Sequence, residues 1–175
     1  IESARQTVAR LKKGRRAEEL EQFALNDSMT GMYNRNAYDY FVKNEKDFEG
    51  YVIVTFDLNN LKQCNDQYGH RAGDEYIINA AHIIEDNFER YGKCYRIGGD
   101  EFCCIIPKGR YFKIERVMHK IDQDVEILNH KNIIPVPVGI AYGYAVFTAD
   151  DTDPEKVRER ADQDMYRNKK TMKQS

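Results

Sequence analysis

The order of the predicted elements indicates an α+β fold, an α/β sandwich with a ferredoxin-like βαββαβ core and an extra N-terminal helix. Three observations support this prediction. Apolar strand-like runs alternate with amphipathic helical stretches, a glycine turn joins the two middle strands, and the 175 residues, 41% of them hydrophobic, suffice for one core. We therefore expect a central antiparallel sheet with flanking helices that pack on one of its faces.

The first 25 residues are rich in Arg, Lys and Glu and predict an exposed helix over 2–25. The basic stretch 12–16 interrupts its apolar residues. These fall loosely at helical spacing and are Val8, Leu11, Leu20 and Phe23. A solvated helix is the leading interpretation, and a short coiled coil with a second copy is the alternative. We divide the chain into this linker or signalling helix, 1–25, and a compact domain, 26–175. Because the chain begins with Ile1, we expect it to be a piece of a longer protein.

The compact domain opens with a turn rich in capping residues at 26–30, followed by a predicted helix over 34–43. The β-branched run 51–57 (YVIVTFD) predicts a buried central strand. A helix over 73–90 is predicted because apolar residues recur on one side of it. These residues are Tyr76, Ile77, Ala80, Ala81, Ile84 and Phe88.

The second half of the domain contains a hairpin signal. Two short predicted strands, 93–97 and 101–106, are separated by the turn residues 98–100 (GGD). The remaining predicted elements are a helix at 111–128, a strand at 138–147 and a helix at 153–170.

Composition excludes several classes of protein. Lys and Arg total 27 and Asp and Glu total 29, so the chain lacks the basic surplus of a general nucleic-acid binder. No apolar run approaches the ~20 residues of a membrane span, so we expect no membrane contact by this fragment.

The four cysteines form no C-x-x-C pair, which favours buried free thiols in a reducing cytosol. We expect a cytoplasmic location, as a separate protein or as the cytoplasmic domain of a membrane-anchored sensor.

Three acidic residues fall where the predicted topology brings strand ends together. Asp57 closes the first strand, and Asp100 and Glu101 lie in the turn after Gly98 and Gly99. The first and third strands are central neighbours in a ferredoxin-like sheet, so these carboxylates should meet at one edge. Converging carboxylates suit Mg²⁺ carrying substrate phosphates, although ordinary turn chemistry explains each acid taken alone.

The segment 96–102 (RIGGDEF) resembles the signature of the GGDEF family, the diguanylate cyclase domains that condense two GTP molecules into cyclic di-GMP. Further segments match in order over about residues 26–170. They are 27–35 (DSMTGMYNR), 57–62 (DLNNLK), the pairs at 65–66, 69–70 and 73–74, the strand 142–145 (YGYA), and Ala161, Asp162, Met165, Tyr166 and Lys169. Polymerases share the palm topology of these nucleotidyltransferases, but the chain is too short for fingers and thumb and lacks their basic surplus.

The resemblance implies roles for the acids. Asp57, the backbone carbonyl of Leu58, Asp100 and Glu101 would hold Mg²⁺ or Mn²⁺. Asp100 and Glu101 would be catalytic, with Asp100 also acting as the general base that activates the ribose 3′-hydroxyl of one GTP toward the α-phosphate of the other.

The resemblance also implies a substrate site. Asn65 and Asp74 would read the guanine edge, Lys169 would meet the outer phosphates, and Gly98 and Gly99 would leave room for the triphosphate. The other substrate-binding positions are Leu61, Lys62, His70 and Lys173. His70 is equally compatible with a structural role in its loop, and Lys173 stands where many members carry Arg.

One family feature is missing. The inhibitory R-x-x-D motif would begin nine residues before Gly98, where the sequence 89–92 reads ERYG. Arg90 is one place out of register and the Asp is absent, so we expect no inhibitory site.

The leading hypothesis is an active, Mg²⁺-dependent cyclase that binds GTP, works as a homodimer and follows an upstream sensor domain in the full-length protein. A catalytically silent GGDEF-like module that binds GTP or a partner is the alternative. The presence of both Asp100 and Glu101 favours the active enzyme.

Overall fold

The computed structural model describes the backbone of residues 4–109 and 113–172. The described elements are α1 (Ala4–Leu25), α2 (Arg35–Asn44), β1 (Val52–Asn59), α3 (Leu61–Tyr68), α4 (His70–Phe88), β2 (Lys93–Arg96), β3 (Glu101–Ile106), α5 (Ile114–His130), β4 (Gly139–Val146) and α6 (Pro154–Met172). The four strands form one antiparallel sheet in the order β2-β3-β1-β4. The prediction of a ferredoxin-like core, with β1 and β3 as central neighbours, is confirmed.

Alternation along β1 separates two apolar layers. Val54, Phe56 and Leu58 face one side of the sheet and pack with α4 and α5. Ile53 faces the other side, in a layer that contains Tyr38 of α2 and residues of α6. The expectation that helices cover only one face is therefore wrong, because α2 and α6 bury the second face.

The structure adds a helix that was not predicted. α3 is only eight residues long and has only two buried residues, Leu61 and Cys64, so its sequence offers too few apolar positions to indicate a helix. Asn60 precedes it in a left-handed conformation, with φ at 64°. The next helix, α4, begins at His70, three residues before the predicted start.

The hydroxyl of Tyr76 joins three elements below the end of the sheet. It donates a hydrogen bond to the Asn59 carbonyl at 2.6 Å and accepts one from the Gly139 N–H at 2.8 Å. Burial raises the pKa of Tyr76 to about 12, so the hydroxyl keeps its proton at neutral pH. This side chain therefore fixes α4 against the end of β1 and the start of β4.

A close approach joins α6 to β4. A Cβ atom at Gly143 would lie 2.1 Å from the Met165 backbone nitrogen and 2.2 Å from the Ala161 carbonyl oxygen. No side chain fits between the helix and the strand here, and α6 therefore rests on the sheet backbone.

The N-terminal helix α1 contacts the rest of the chain mainly through α2. Leu11 and Leu20 are 62% and 68% exposed. Within one chain α1 is a solvated helix, and its pairing with a second copy stays a prediction.

All four cysteines are buried free thiols, as expected. No helix within the described ranges 4–109 and 113–172 combines the length and apolar character that a membrane crossing needs.

Candidate active site

A cavity of about 370 Å³ opens between β1, the 98–101 turn and α6. Asp57, Asp100 and Glu101 all line it, as the topology predicted. Asp57 and Glu101 are direct partners across β1 and β3, so their side chains leave the same face of the sheet. The strand pairing thus places the predicted acids at one site.

The Lys169 ammonium, on the last turns of α6, forms an ion pair with the Asp57 carboxylate. Like charges directly opposite each other destabilise a sheet, and Asp57 faces Glu101. Lys169 offsets this repulsion. It also lies beside the acids, where it could meet an anionic substrate, although 112 residues separate it from Asp57 in the sequence.

The three acids line one cavity, but their side chains are not gathered around a single point. Within the described part of the chain, no three His, Cys, Asp or Glu side chains stand close enough to hold a metal ion. The donor set nevertheless fits Mg²⁺ or Mn²⁺, because the cavity offers hard carboxylate oxygens and its like charges call for a counter-ion. The Leu58 side chain is buried in the core, which leaves its backbone carbonyl as the predicted ligand.

Arg96 fixes the signature turn. Its guanidinium donates to the Gly99 carbonyl at 2.8 Å and to the Asp27 carboxylate at 3.0 Å. Asp27 also accepts from the hydroxyl and the backbone N–H of Thr30, at 2.8 and 2.9 Å. The segment 27–35, matched in the sequence without an assigned role, therefore supports the turn that carries Asp100 and Glu101.

The two signature glycines differ in their surroundings. A Cβ atom at Gly98 would lie 3.1 Å from the Glu101 carboxylate, whereas one at Gly99 would meet nothing within 4 Å. Gly98 therefore makes room for an active-site side chain. The proposed need for space around a triphosphate stays a prediction for both residues.

The predicted guanine-reading residues meet at the corner between α3 and α4. A Cβ atom at Gly73 would lie 1.9 Å from Asn65 Oδ1, so only glycine lets the Asn65 side chain rest against α4. Asp74 follows directly and is exposed. Asn65 and Asp74 thus come from two helices to one corner.

The other predicted substrate residues have different settings. Lys62 and His70 are exposed on α3 and at the start of α4. The Leu61 side chain lies in the hydrophobic core at 7% exposure. Lys173 lies outside the described residues.

The positions matched on α6 belong to one stripe of the helix that also contains Arg158, which the sequence analysis missed. Arg158, Asp162, Met165 and Lys169 are spaced i, i+4, i+7 and i+11, which places them on one face of a helix. The first three line the cavity, and burial raises the pKa of Asp162. The Arg158 guanidinium donates to Glu155 at 2.7 Å. The spacing could have revealed this stripe.

The family model described as "Diguanylate cyclase, GGDEF domain" matches residues 24–175. The chain belongs to the GGDEF family. It is 30% identical over 172 residues to MucR of Pseudomonas aeruginosa, a bifunctional diguanylate cyclase/cyclic di-GMP phosphodiesterase. This match covers 93% of this chain and 24% of MucR. Diguanylate cyclase DgcS of Shewanella oneidensis is 28% identical over 158 residues, 87% of this chain and 52% of DgcS. The chain thus spans about a quarter and about half of these two relatives.

Solved structures share the fold of this GGDEF domain. The coiled coil and GGDEF domain of DgcB from Caulobacter crescentus, in complex with c-di-GMP, has a TM-score of 0.76 at 24% identity, with 94% of this chain and 91% of that chain covered. Diguanylate cyclase SiaD of Pseudomonas aeruginosa, in complex with its activator SiaC, has a TM-score of 0.72 at 23% identity, with 95% and 71% covered. GGDEF domains typically bind GTP and a metal ion.

Asp27→Asn in this GGDEF domain should reduce stability in a pH-dependent way. Burial alone would raise the pKa of Asp27, but hydrogen bonds from Thr30 and Arg96 hold that pKa below its usual range. The charged Asp27 carboxylate therefore stabilises the fold above the pKa of an Asp in the unfolded chain, about 3.9. This contribution is lost as the pH falls through the lower pKa that Asp27 has in the folded chain. We expect the variant to lose about 1–3 kcal/mol at pH 7 and to converge on the parent in acid. Urea unfolding across this range measures the difference.

The exposed Asp86, on α4, provides a matched control. Asp86→Asn should leave the free energy of unfolding at pH 7 close to that of the parent. A constant difference between parent and Asp27→Asn at every pH would show that the carboxylate charge of Asp27 is not responsible.

Proposed function

We propose that the chain is a diguanylate cyclase that condenses two GTP molecules into cyclic di-GMP and two pyrophosphates. The observation that carries this proposal is the cross-strand pairing of Asp57 with Glu101 in a cavity that Asp100 also lines. A GGDEF-like module that had lost catalysis would have no need to keep all three acids at one cavity.

Each group in this site has a task in phosphoryl transfer, which depends on positioning and on neutralising charge. Asp57, Asp100, Glu101 and the Leu58 carbonyl would hold Mg²⁺, which would neutralise the triphosphate and polarise the reacting phosphate. Asp100 accepts the proton of the attacking ribose 3′-hydroxyl. Lys169, which pairs with Asp57, exchanges this partner for the outer phosphates when GTP enters.

Incubation of the purified chain with GTP and Mg²⁺, followed by separation of the nucleotides, tests the proposal. Cyclic di-GMP and pyrophosphate should form together, and chelation of the metal should stop both. GTP binding without either product would establish the silent module instead. Neither binding nor turnover, over a range of protein concentration, would contradict both hypotheses.

Two active sites must face each other to close a cyclic dinucleotide, so activity should depend on dimerisation. We propose that α1 pairs with its copy, and that the pairing is weak because its exposed apolar residues Leu11 and Leu20, spaced i and i+9, lie on different faces of the helix with charged residues between them. Specific activity should therefore rise steeply between nanomolar and tens of micromolar protein. Leu11→Lys with Leu20→Lys should lower it further at any one concentration.

Ile133 offers a matched control, because it is an exposed apolar residue (56%) away from α1. Ile133→Lys should leave the concentration dependence as it is in the parent. A specific activity that is flat over the whole range would contradict dimer-limited catalysis.

The missing R-x-x-D motif leads to a separate expectation. Arg90 lies with its guanidinium 5.0 Å from the centre of the neighbouring Tyr91 ring, and Glu89 and Gly92 replace the motif's charged ends. Added cyclic di-GMP should therefore not inhibit the cyclase non-competitively. Initial rates at several fixed concentrations of cyclic di-GMP measure this, and a fall in kcat at saturating GTP would contradict it.

A further inference from the structure

Two of the four cysteines are in direct contact across the hairpin that carries the signature turn. Cys94 of β2 and Cys104 of β3 are cross-strand partners. The Cys104 thiol donates a hydrogen bond to the Cys94 sulfur, and the two Sγ atoms are 2.7 Å apart. The sequence analysis missed this pair because the two residues share no metal-like or redox-like spacing.

The strand register makes this a suitable pair for a covalent bond. The Arg96 N–H donates to the Tyr33 carbonyl at 2.8 Å, so it points away from β3. Alternation along an antiparallel ladder then makes Cys94 and Cys104 a non-hydrogen-bonded pair as well, with Cα atoms about 4.5 Å apart. Disulfides form at Cα separations of about 4.4–6.8 Å.

The other two cysteines lack such a partner. Cys103, next to Cys104, faces the opposite side of the sheet and is paired across the strands with Tyr95. Cys64 lies in α3. Cys94 is 3% exposed and Cys104 is completely buried. The described geometry therefore points to one specific pair among the four thiols.

We propose that Cys94 and Cys104 are a reversible oxidation site that forms a cross-strand disulfide with a small hydroperoxide as oxidant. The Cys94 sulfur attacks one peroxide oxygen, the O–O bond breaks and an alcohol or water leaves, which makes a sulfenic acid. The Cys104 sulfur then attacks the Cys94 sulfur, and water leaves as the S–S bond forms. The two thiols lose two electrons and two protons, and the peroxide gains them.

The order of the two steps follows from the surroundings of each thiol. Cys94 lies on the edge strand of the sheet and is the more accessible of the two. Burial and the neighbouring Cys94 raise the pKa of Cys104, so Cys104 is the less reactive thiol and Cys94 is oxidised first.

Mass spectrometry of the native chain tests this assignment. The chain is treated with hydrogen peroxide, its remaining thiols are alkylated, and it is digested with trypsin without reduction. Cleavage after Lys93, Arg96 and Lys108 releases peptides 94–96 and 97–108. We expect these two peptides to be joined, with two of the four thiols lost, and to separate after treatment with dithiothreitol.

Fragment ions of the joined peptide distinguish Cys104 from Cys103 in the parent chain, so the result does not depend on a variant that folds. As a matched pair, Cys103→Ala should keep the cross-link and Cys104→Ala should lose it. Peptide 94–96 without its partner, a cross-link through Cys103, or a cross-link between two chains on a non-reducing gel would each overturn the proposal.

Discussion

Asp100→Asn is expected to lower the rate of cyclic di-GMP formation by at least about 100-fold while the fold survives. The amide has the shape of the carboxylate but neither its charge nor its basicity. Asp100 is partly exposed at the cavity and lies in a turn that Arg96 holds through the Gly99 carbonyl, so its replacement removes no core contact. Initial rates with GTP and Mg²⁺, together with a thermal unfolding curve, measure both parts of the expectation.

Asp150, exposed in the loop after β4, provides the comparison. Asp150→Asn removes the same charge far from the cavity and should retain the parent rate. If Asp100→Asn also retained the parent rate, the assignment of Asp100 as general base and metal ligand would be wrong.

Asp74→Ser is expected to relax the choice of base. Guanine presents two donors, N1–H and the exocyclic amine, on the edge where adenine presents an acceptor beside its amine. A carboxylate only accepts hydrogen bonds, so it suits guanine and repels the adenine N1 lone pair. A site that accepts a hydrogen bond from its substrate discriminates against an analogue without the donor by up to about 10⁴-fold. The serine hydroxyl both donates and accepts, so Asp74→Ser should lose most of this discrimination against ATP.

The measurement is the product composition with equimolar GTP and ATP. The parent should make almost only the di-guanosine product, and Asp74→Ser should also make a mixed dinucleotide. Glu75→Gln, one residue along α4 and also exposed, is the matched control and should behave as the parent. A substantial mixed product from the parent would overturn the roles proposed for Asp74 and Asn65.

The strands were predictable because their signals are local. The run 51–57 is β-branched and apolar, and the structure has β1 at Val52–Asn59. The hairpin after Gly98 and Gly99 was placed correctly, and β3 begins and ends at the predicted residues, Glu101–Ile106. Once β1 and β3 are known to be neighbours, the meeting of Asp57 with Glu101 follows from the register.

Contacts between distant segments were not predictable from these patterns. The pairs Lys169–Asp57 and Arg96–Asp27 join residues 112 and 69 positions apart, and no local periodicity encodes such a distance. Each pair depends on how helices and turns dock on the finished sheet. The family resemblance therefore predicted that these residues belong to the site or its motifs. Which residue each of them pairs with could be found only from the structure.

The close approach at Gly143 limits how this domain could respond to a signal. With the Met165 nitrogen only 2.1 Å from where a Cβ atom would lie, α6 and β4 interlock through their backbones. Sliding α6 across the sheet would require the two backbones to separate, so we expect Lys169 to keep its position relative to the strand acids. We therefore expect regulation to change how often two of these domains meet, and not the arrangement of the site within each domain. Crosslinking α1 to its copy should then raise activity without any change within the domain.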